Sequence, residues 1–273
     1  MPLAKSPLRY PGGKSKAISQ IIAYLPEGFT EYREPFVGGG SLFIYLKQIY
    51  PELEYWINDL NTDLYYFWLC AKEENQKLYD EVWKMKRMYP DGRELFEMLT
   101  KQNVEELSGV GRAVRFFVLN RITFSGTVEA GGYSQKAFES RFTPSSLERL
   151  LPLETLLETV RITNLDYREV LTPSTKEVFT FFDPPYLSAT KSRLYGKKGV
   201  LHTVFNHQEF AETLKTYKHH WLITYDDSEE IRSYFDSANI YEWELQYGMN
   251  NYKQAKAAKG KELFISSYPV EVK

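Results

Sequence analysis

The sequence predicts an α/β fold with a mostly parallel sheet, an antiparallel end and an inserted, mainly helical domain. Three observations point there. Short apolar runs bounded by glycine, proline or acidic residues alternate with helical stripes in the first sixty or so residues. Between about residues 64 and 157 the character changes to long, charged helical stretches, such as residues 80–89 and 111–120. Beyond that point the alternation resumes. Strands separated by helices imply parallel pairing with both sheet faces covered.

Taken in order, residues 15–25 carry apolar side chains at Ala17, Ile18, Ile21, Ile22 and Leu25. That stripe predicts a helix aimed back at Gly12-Gly13 and stopped by Pro26. Residues 31–37 read as a strand, Gly38-Gly39-Gly40 as a turn, and residues 41–50 as a helix ended by Pro51. Residues 54–57 read as a second strand ending at Asn58-Asp59, which completes a β-α-β unit around a glycine turn. The insertion is placed at residues 71–157, leaving 1–70 and 158–273 as one sheet domain. Further strands are expected at 160–163, 177–182 and 221–224, with a closing pair at 240–245 and 263–267. No internal repeat is present.

At 273 residues the chain can form one large domain or a core domain with a smaller insertion. With 21 Tyr and 17 Phe, it has rings to spare for stacking beyond those a core needs. The net charge of -2 offers no global attraction to a polyanion, so any nucleic-acid surface must be local. A single cysteine, Cys70, excludes an intramolecular disulfide and a cysteine-rich zinc site, and fits a reducing cytoplasm. Its neighbours Tyr65-Tyr66-Phe67-Trp68-Leu69 mark it as a buried apolar residue. The first seven residues lack the apolar core of a signal peptide, and no run approaches a membrane span. The expectation is a soluble intracellular protein with no membrane partner.

Two segments carry chemistry. Asp183-Pro184-Pro185-Tyr186 follows the apolar run Val178-Phe179-Thr180-Phe181-Phe182 directly. Each proline fixes φ near –65° and pushes the residue before it towards extended geometry, so the Asp183 carboxylate and nearby carbonyls can face a ligand while Tyr186 offers a ring for stacking. A planar ring bearing an exocyclic amine suits that arrangement; a plain strand-ending turn is the competing reading. In Glu34-Pro35-Phe36-Val37-Gly38-Gly39-Gly40-Ser41, three glycines between strand and helix let a ligand approach the backbone. Asp59 lies 19 residues beyond Gly40, near the ~20-residue spacing at which an acid meets ribose hydroxyls. Gly12-Gly13-Lys14-Ser15 is not a Walker loop, because the position that needs a glycine is Leu8. Lys14 is instead a candidate contact for a ligand carboxylate.

In this order, Tyr10-Pro-Gly-Gly-Lys14, Glu34 to Phe43 and Asp183 to Tyr186 resemble the D12-class, Dam-like DNA adenine-N6 methyltransferases. The resemblance extends through Asn58 to Asn61, Asn120 to Gly126, Asn164 to Tyr167 and Lys261 to Tyr268, nearly the whole chain. It implies a Rossmann-like sheet binding S-adenosylmethionine at its carboxyl edge. Tyr10 and Lys14 would contact the methionine part, Phe36, Gly38 and Gly40 would line its backbone, and Asp59 would bind the ribose. Asp166 and Tyr167 would hold the cofactor's adenine, although Asp166 could equally cap the short helix after it. Asp183, Pro184 and Tyr186 would form the pocket for a target adenine flipped out of double-stranded DNA. No metal or covalent intermediate is required.

For DNA contact, the resemblance places a phosphate contact at Arg121 and an intercalating aromatic at Phe124, with Arg112, Arg115 and Arg141 as further candidates. Lys191, Arg193, Lys197 and Lys198 form a basic run with no acid between Leu187 and Gln208, and Lys253, Lys256, Lys259 and Lys261 form a second. GATC-specific relatives carry an arginine where this chain has Glu129, in Ser125-Gly126-Thr127-Val128-Glu129. Glutamate cannot give guanine a bidentate donor pair but can accept from cytosine, so a target other than a strictly read GATC is expected. A cognate restriction endonuclease is a candidate partner. The alternative readings are methylation of another planar amine, such as cytosine N4, an RNA base or glutamine, and a catalytically dead DNA-binding methylase fold.

Overall fold

A computed structural model describes residues 3–10, 12–128, 130–187, 205–245 and 260–271. The apolar run before the tetrad forms β4 (Val178–Phe182), buried along its whole length. It lies at the centre of a seven-stranded sheet with β1 (Glu31–Glu34), β2 (Glu54–Asn58), β3 (Arg161–Thr163), β5 (His220–Asp226), β6 (Asn239–Leu245) and β7 (Gly260–Ser266). The strand order is β3-β2-β1-β4-β5-β7-β6. Strands β1 to β5 pair in parallel, whereas β7 runs antiparallel between β5 and β6. The expected mostly parallel sheet with an antiparallel end is what forms.

Period-two alternation divides the side chains between two interiors. Phe181, Leu222 and Phe264 enter one apolar cluster, and their successors Phe182, Ile223 and Ile265 enter the other. Strand β1 is an exception to apolar patterning, because Glu31, Tyr32, Arg33 and Glu34 are all buried. Arg33 satisfies this interior by pairing with Glu31 at 2.7 Å and donating to the carbonyls of Val170 and Thr172. The strand stops at Glu34, three residues before the expected end, as the chain turns at Pro35, which has no N–H to donate.

The stripe over residues 15–25 is not one helix. Its first turn is a 3-10 segment (Lys14–Lys16), followed by α1 (Ile18–Ile21) and a second 3-10 turn (Ile22–Tyr24). Helix α2 (Ser41–Ile49) starts at Gly40 and ends before Pro51, as expected. Between β2 and β3 lie α3 (Thr62–Glu73), α4 (Asn75–Met88), α5 (Gly92–Lys101), α6 (Gly109–Ile122), α7 (Gln135–Arg141), α8 (Pro144–Leu147) and α9 (Leu153–Leu157). Asn61 caps α3, Asp91 caps α5 and Ser108 caps α6, each by accepting from backbone amides. Helix α6 is buried from Ala113 to Ile122, so it is the axis of the helical layer and lacks an amphipathic stripe. Phe67 of α3 stacks on its Phe117 at 5.8 Å, and the same cluster continues into the sheet at Tyr32, Ile57 and Phe179. Cys70 belongs to this interior, and burial pushes its thiol up to about 11.

After β3 come α10 (Tyr167–Val170), α11 (His207–Thr216) and α12 (Glu229–Tyr234). Among the described residues, no helix is long and apolar enough to cross a membrane.

Candidate active site

Parallel pairing brings the carboxyl ends of β1, β2, β4 and β5 to one edge of the sheet, and each delivers a segment there. The segment after β1 is the glycine turn. Gly38 and Gly40 take left-handed φ values of 47° and 61°. A Cβ on Gly38 would stand 2.8 Å from the Tyr10 ring, and one on Gly40 would stand 2.9 Å from Trp68. Tyr10 therefore lies directly along the turn, while Phe36 packs at 5.6 Å from Tyr167 and at 5.7 Å from Phe205.

The segment after β2 is held by polar side chains. Asn58 donates to the carbonyls of Pro35 and Leu165 and accepts from Thr163 and the Leu165 amide, locking the exits of β1, β2 and β3 together. Next to it, Asp59 accepts from the Gly38 amide at 3.0 Å and the Asn61 amide at 2.9 Å, one on each carboxylate oxygen. Burial pushes the Asp59 carboxyl up to about 6, against the pull of those two amides. Asp166 takes the role of a helix cap: it accepts from the Arg168 amide within a capping box completed by Glu169, and binds the Arg168 guanidinium with both oxygens.

The segment after β4 is the tetrad. Asp183 Oδ1 accepts twice, from Lys14 Nζ at 2.7 Å and from Thr224 Oγ1 of β5 at 2.8 Å. Its Oδ2 takes no hydrogen bond from the described residues. Lys14 also donates to the Gly12 carbonyl and sits 4.9 Å from the centroid of the Tyr186 ring. The Tyr186 phenol donates to Glu262 of β7 at 2.9 Å. Pro184 is buried. On the neighbouring strand, Glu34 accepts from the Tyr32 phenol at 2.7 Å. Burial pushes the Glu34 carboxyl up to about 8, so it is mostly neutral at pH 7.

Of the expected site residues, Tyr10, Lys14, Phe36, Gly38, Gly40, Asp59, Tyr167, Asp183, Pro184 and Tyr186 meet at this edge. Lys14, expected at the cofactor's methionine end, is here tied to the tetrad. Thr224 and Glu262 were given no site role from the sequence, and Asn58 entered only as part of the Asn58 to Asn61 segment. A polar residue at an inward position of an apolar strand was the available signal for the first two.

The expected DNA contacts divide. Phe124 is 67% exposed on a turn in which Ser125 and Val128 take left-handed φ values of 54° and 53°. Arg121 is corrected from a surface contact to an interior one. It is 4% exposed and donates to the carbonyls of Arg141 and Pro7. Burial and the nearby Arg9, Arg149 and Arg141 push its guanidinium down to about 9. Arg115 is likewise interior, donating to the Leu99 carbonyl, and Arg112 pairs with Glu105 at 2.8 Å. Arg141 is exposed. Glu129, Lys191, Arg193, Lys197, Lys198, Lys253, Lys256 and Lys259 lie outside the described residues; Lys261 is exposed on β7.

The mostly parallel seven-stranded sheet with an antiparallel end is the α/β fold of a methyltransferase, as the family match establishes. A model of the D12 class N6 adenine-specific DNA methyltransferase family matches residues 10–249, and the chain belongs to that family. It is therefore a DNA adenine-N6 methyltransferase, working with a methyl-donor cofactor on DNA. The chain is 29% identical over 213 residues to Type II methyltransferase M.MjaIII of Methanocaldococcus jannaschii, covering 68% of this chain and 70% of that one. It is 23% identical over 247 residues to Type II methyltransferase M1.LlaDCHI of Lactococcus lactis subsp. cremoris, covering 85% and 78%. The DNA N-6-adenine-methyltransferase of Escherichia phage P1 is 28% identical over 193 residues, 67% of this chain and 24% of the phage protein.

Proposed function

We propose that the protein transfers the methyl group of S-adenosylmethionine to N6 of an adenine flipped out of double-stranded DNA, at a specific sequence. The observation that carries this reading is the asymmetric grip on Asp183. Two donors hold Oδ1, so the carboxylate cannot rotate freely, and Oδ2, which takes no hydrogen bond from the described residues, would accept from an amino group. The amine lone pair of adenine is conjugated with its ring and is a weak nucleophile. Acceptance by Asp183 Oδ2 and the Pro184 carbonyl favours a tetrahedral nitrogen whose lone pair points at the incoming carbon. Asp183 Oδ2 would take the proton that N6 sheds as the N–C bond forms at the expense of the methyl–sulfur bond, whose electron pair stays on the departing neutral thioether. Tyr186 provides the ring on which the flipped base lies.

The residues at the edge fit the cofactor. The Gly38 and Gly40 backbone leaves a cradle with no Cβ, Tyr10 and Phe36 flank it, and each Asp59 oxygen keeps a lone pair for a ribose hydroxyl. Tyr167 is positioned for the cofactor's adenine, with Asp166 acting through the α10 cap. When bound, S-adenosylmethionine supplies a methyl group made electrophilic by its sulfonium.

Target recognition is assigned to residues 71–157, with the exposed Phe124 ring as a wedge into the base stack. The basic run Lys191, Arg193, Lys197 and Lys198, adjoining the tetrad in sequence, is assigned to phosphate contact, and the Ser125 to Glu129 segment to a target other than GATC. Relatives named Type II methyltransferases support a cytoplasmic enzyme with a cognate restriction endonuclease. Asp183→Ala is expected to abolish transfer of labelled methyl to duplex DNA while leaving S-adenosylmethionine affinity within about threefold. Undiminished turnover would sink the assignment. Sequencing modified bases in DNA from cells expressing the protein identifies the base and its context; full, exclusive GATC modification would refute the specificity reading.

A further inference from the structure

Glu262 is out of place in its strand. Its successors Leu263, Phe264 and Ile265 are fully buried and apolar, yet Glu262 is itself only 1% exposed. A residue that served packing alone at this position would be apolar too, because a buried carboxylate is costly unless partners compensate it. Antiparallel register sets Glu262 opposite Asp226, at the carboxyl end of β5, beside the point where the tetrad leaves β4. Glu262 Oε2 accepts from the Tyr186 phenol at 2.9 Å, and Oε1 has no hydrogen-bond partner among the described residues. Tyr186 is thus gripped at its rim by Glu262, while the Lys14 ammonium stands 4.9 Å from its ring centroid.

We propose that Glu262 is a positioning residue for methyl transfer: by accepting from the Tyr186 phenol it fixes the plane of the ring on which the target base lies. The inference rests on the assignment of Asp183 to Tyr186 as the base pocket. A ring in a pocket is free to rock about its Cβ–Cγ bond unless its far end is tied, and a stacked base would rock with it. Methyl transfer depends on alignment at the level of about 1 Å, where misplacement costs on the order of 100-fold in rate.

Among the described residues, the titratable groups facing Glu262 are Lys14, Tyr186, Asp183 and Asp226. Burial pushes its carboxyl up to about 7, opposed by Lys14 and the phenol and assisted by Asp183 and Asp226. The ionised form is the stronger acceptor, so the tie on Tyr186 weakens as pH falls through about 7. Stability moves the other way. A carboxyl whose folded pKa is raised is favoured in its protonated form, so its contribution is present at low pH and lost as pH rises through about 7.

The test compares the full chain with Glu262→Ala, Glu262→Gln, Tyr186→Phe, Asp183→Ala and the Tyr186→Phe/Glu262→Ala double variant. Single-turnover transfer from S-adenosylmethionine to unmethylated duplex genomic DNA is measured from pH 5.5 to 8.5, with thermal unfolding of the protein alone over the same range. Glu262→Ala and Tyr186→Phe are each expected to slow transfer about 10- to 100-fold. Because they remove the same contact, the double variant should be no more than about threefold slower than the slower single variant. Glu262→Gln, whose amide oxygen still accepts, should stay within about fivefold of wild type at pH 7.5, lose the slowing below pH 7, and lose less stability between pH 5.5 and 8.5. Wild-type transfer by Glu262→Ala, or losses that multiply in the double variant, would overturn the proposal. If Glu262→Ala does not fold, an unchanged pH profile in Glu262→Gln overturns it. Wild-type turnover by Asp183→Ala overturns the pocket assignment itself, whereas a dead Asp183→Ala beside a normal Glu262→Ala overturns the role of Glu262 alone.

Discussion

Replacing Thr224 with valine removes one hydroxyl from beside Asp183 while nearly preserving the shape of the side chain. Thr224 is fully buried on β5, and its hydroxyl donates to Asp183 Oδ1 at 2.8 Å. A hydrogen bond to a charged acceptor is worth about 1.5–3 kcal/mol. Lys14 remains on the same oxygen at 2.7 Å, so the carboxylate is not left bare and the fold should lose only about 1 kcal/mol. The loss falls on orientation instead. With one donor in place of two, the carboxylate turns more freely and Oδ2 is no longer held towards the amine. At about 1.4 kcal/mol for each factor of ten, Thr224→Val should lower kcat about 10- to 100-fold. Single-turnover methyl transfer at saturating DNA and cofactor, with cofactor affinity measured by calorimetry, separates this from a binding defect, and affinity should stay within about threefold. A rate within twofold of wild type would show that Lys14 alone orients Asp183, and would refute the two-donor argument.

Gly38→Ala forces a Cβ onto a left-handed backbone, 2.8 Å from the Tyr10 ring; calorimetry should find cofactor binding weakened at least about tenfold, with wild-type affinity counting against the cradle. Asp59, with its carboxyl pushed up to about 6, accepts from ribose hydroxyls best when ionised, so cofactor affinity should fall as pH drops through 6, by up to about tenfold per unit. In Asp59→Asn that dependence should flatten, and a slope equal to wild type would assign the titration to another group.

Much of the fold was legible because β4, β5 and β7 are apolar and alternate, and because proline and glycine mark the ends of α1's stripe, α2 and the tetrad. Strand β1 ends at Glu34 because Pro35 follows, and its buried charges were not legible because Arg33 depends on the carbonyls of Val170 and Thr172, more than a hundred positions away. The site divides along the same line. Asp59, the glycines and the tetrad are local motifs at fixed spacing and could be read directly. Thr224 and Glu262 reach the candidate site only because β5 lies beside β4 and β7 beside β5, a property of sheet order rather than of spacing. Arg121 misled because the family resemblance assigns a role to its position, whereas the Pro7 and Arg141 carbonyls that claim its guanidinium are not visible in sequence.

Asn120 of α6 is fully buried and binds both the amide and the carbonyl of Arg9, as well as the carbonyl of Gly126. One side-chain amide thus staples the segment leading to Tyr10 and Lys14 onto the helical layer and the Phe124 turn. Asn120→Ala is therefore expected to loosen the Tyr10 segment and the Phe124 turn together, which hydrogen exchange at both would register. Linkage makes any coupling carried by this staple reciprocal: the factor by which DNA changes cofactor affinity through Asn120 is the factor by which the cofactor changes DNA affinity.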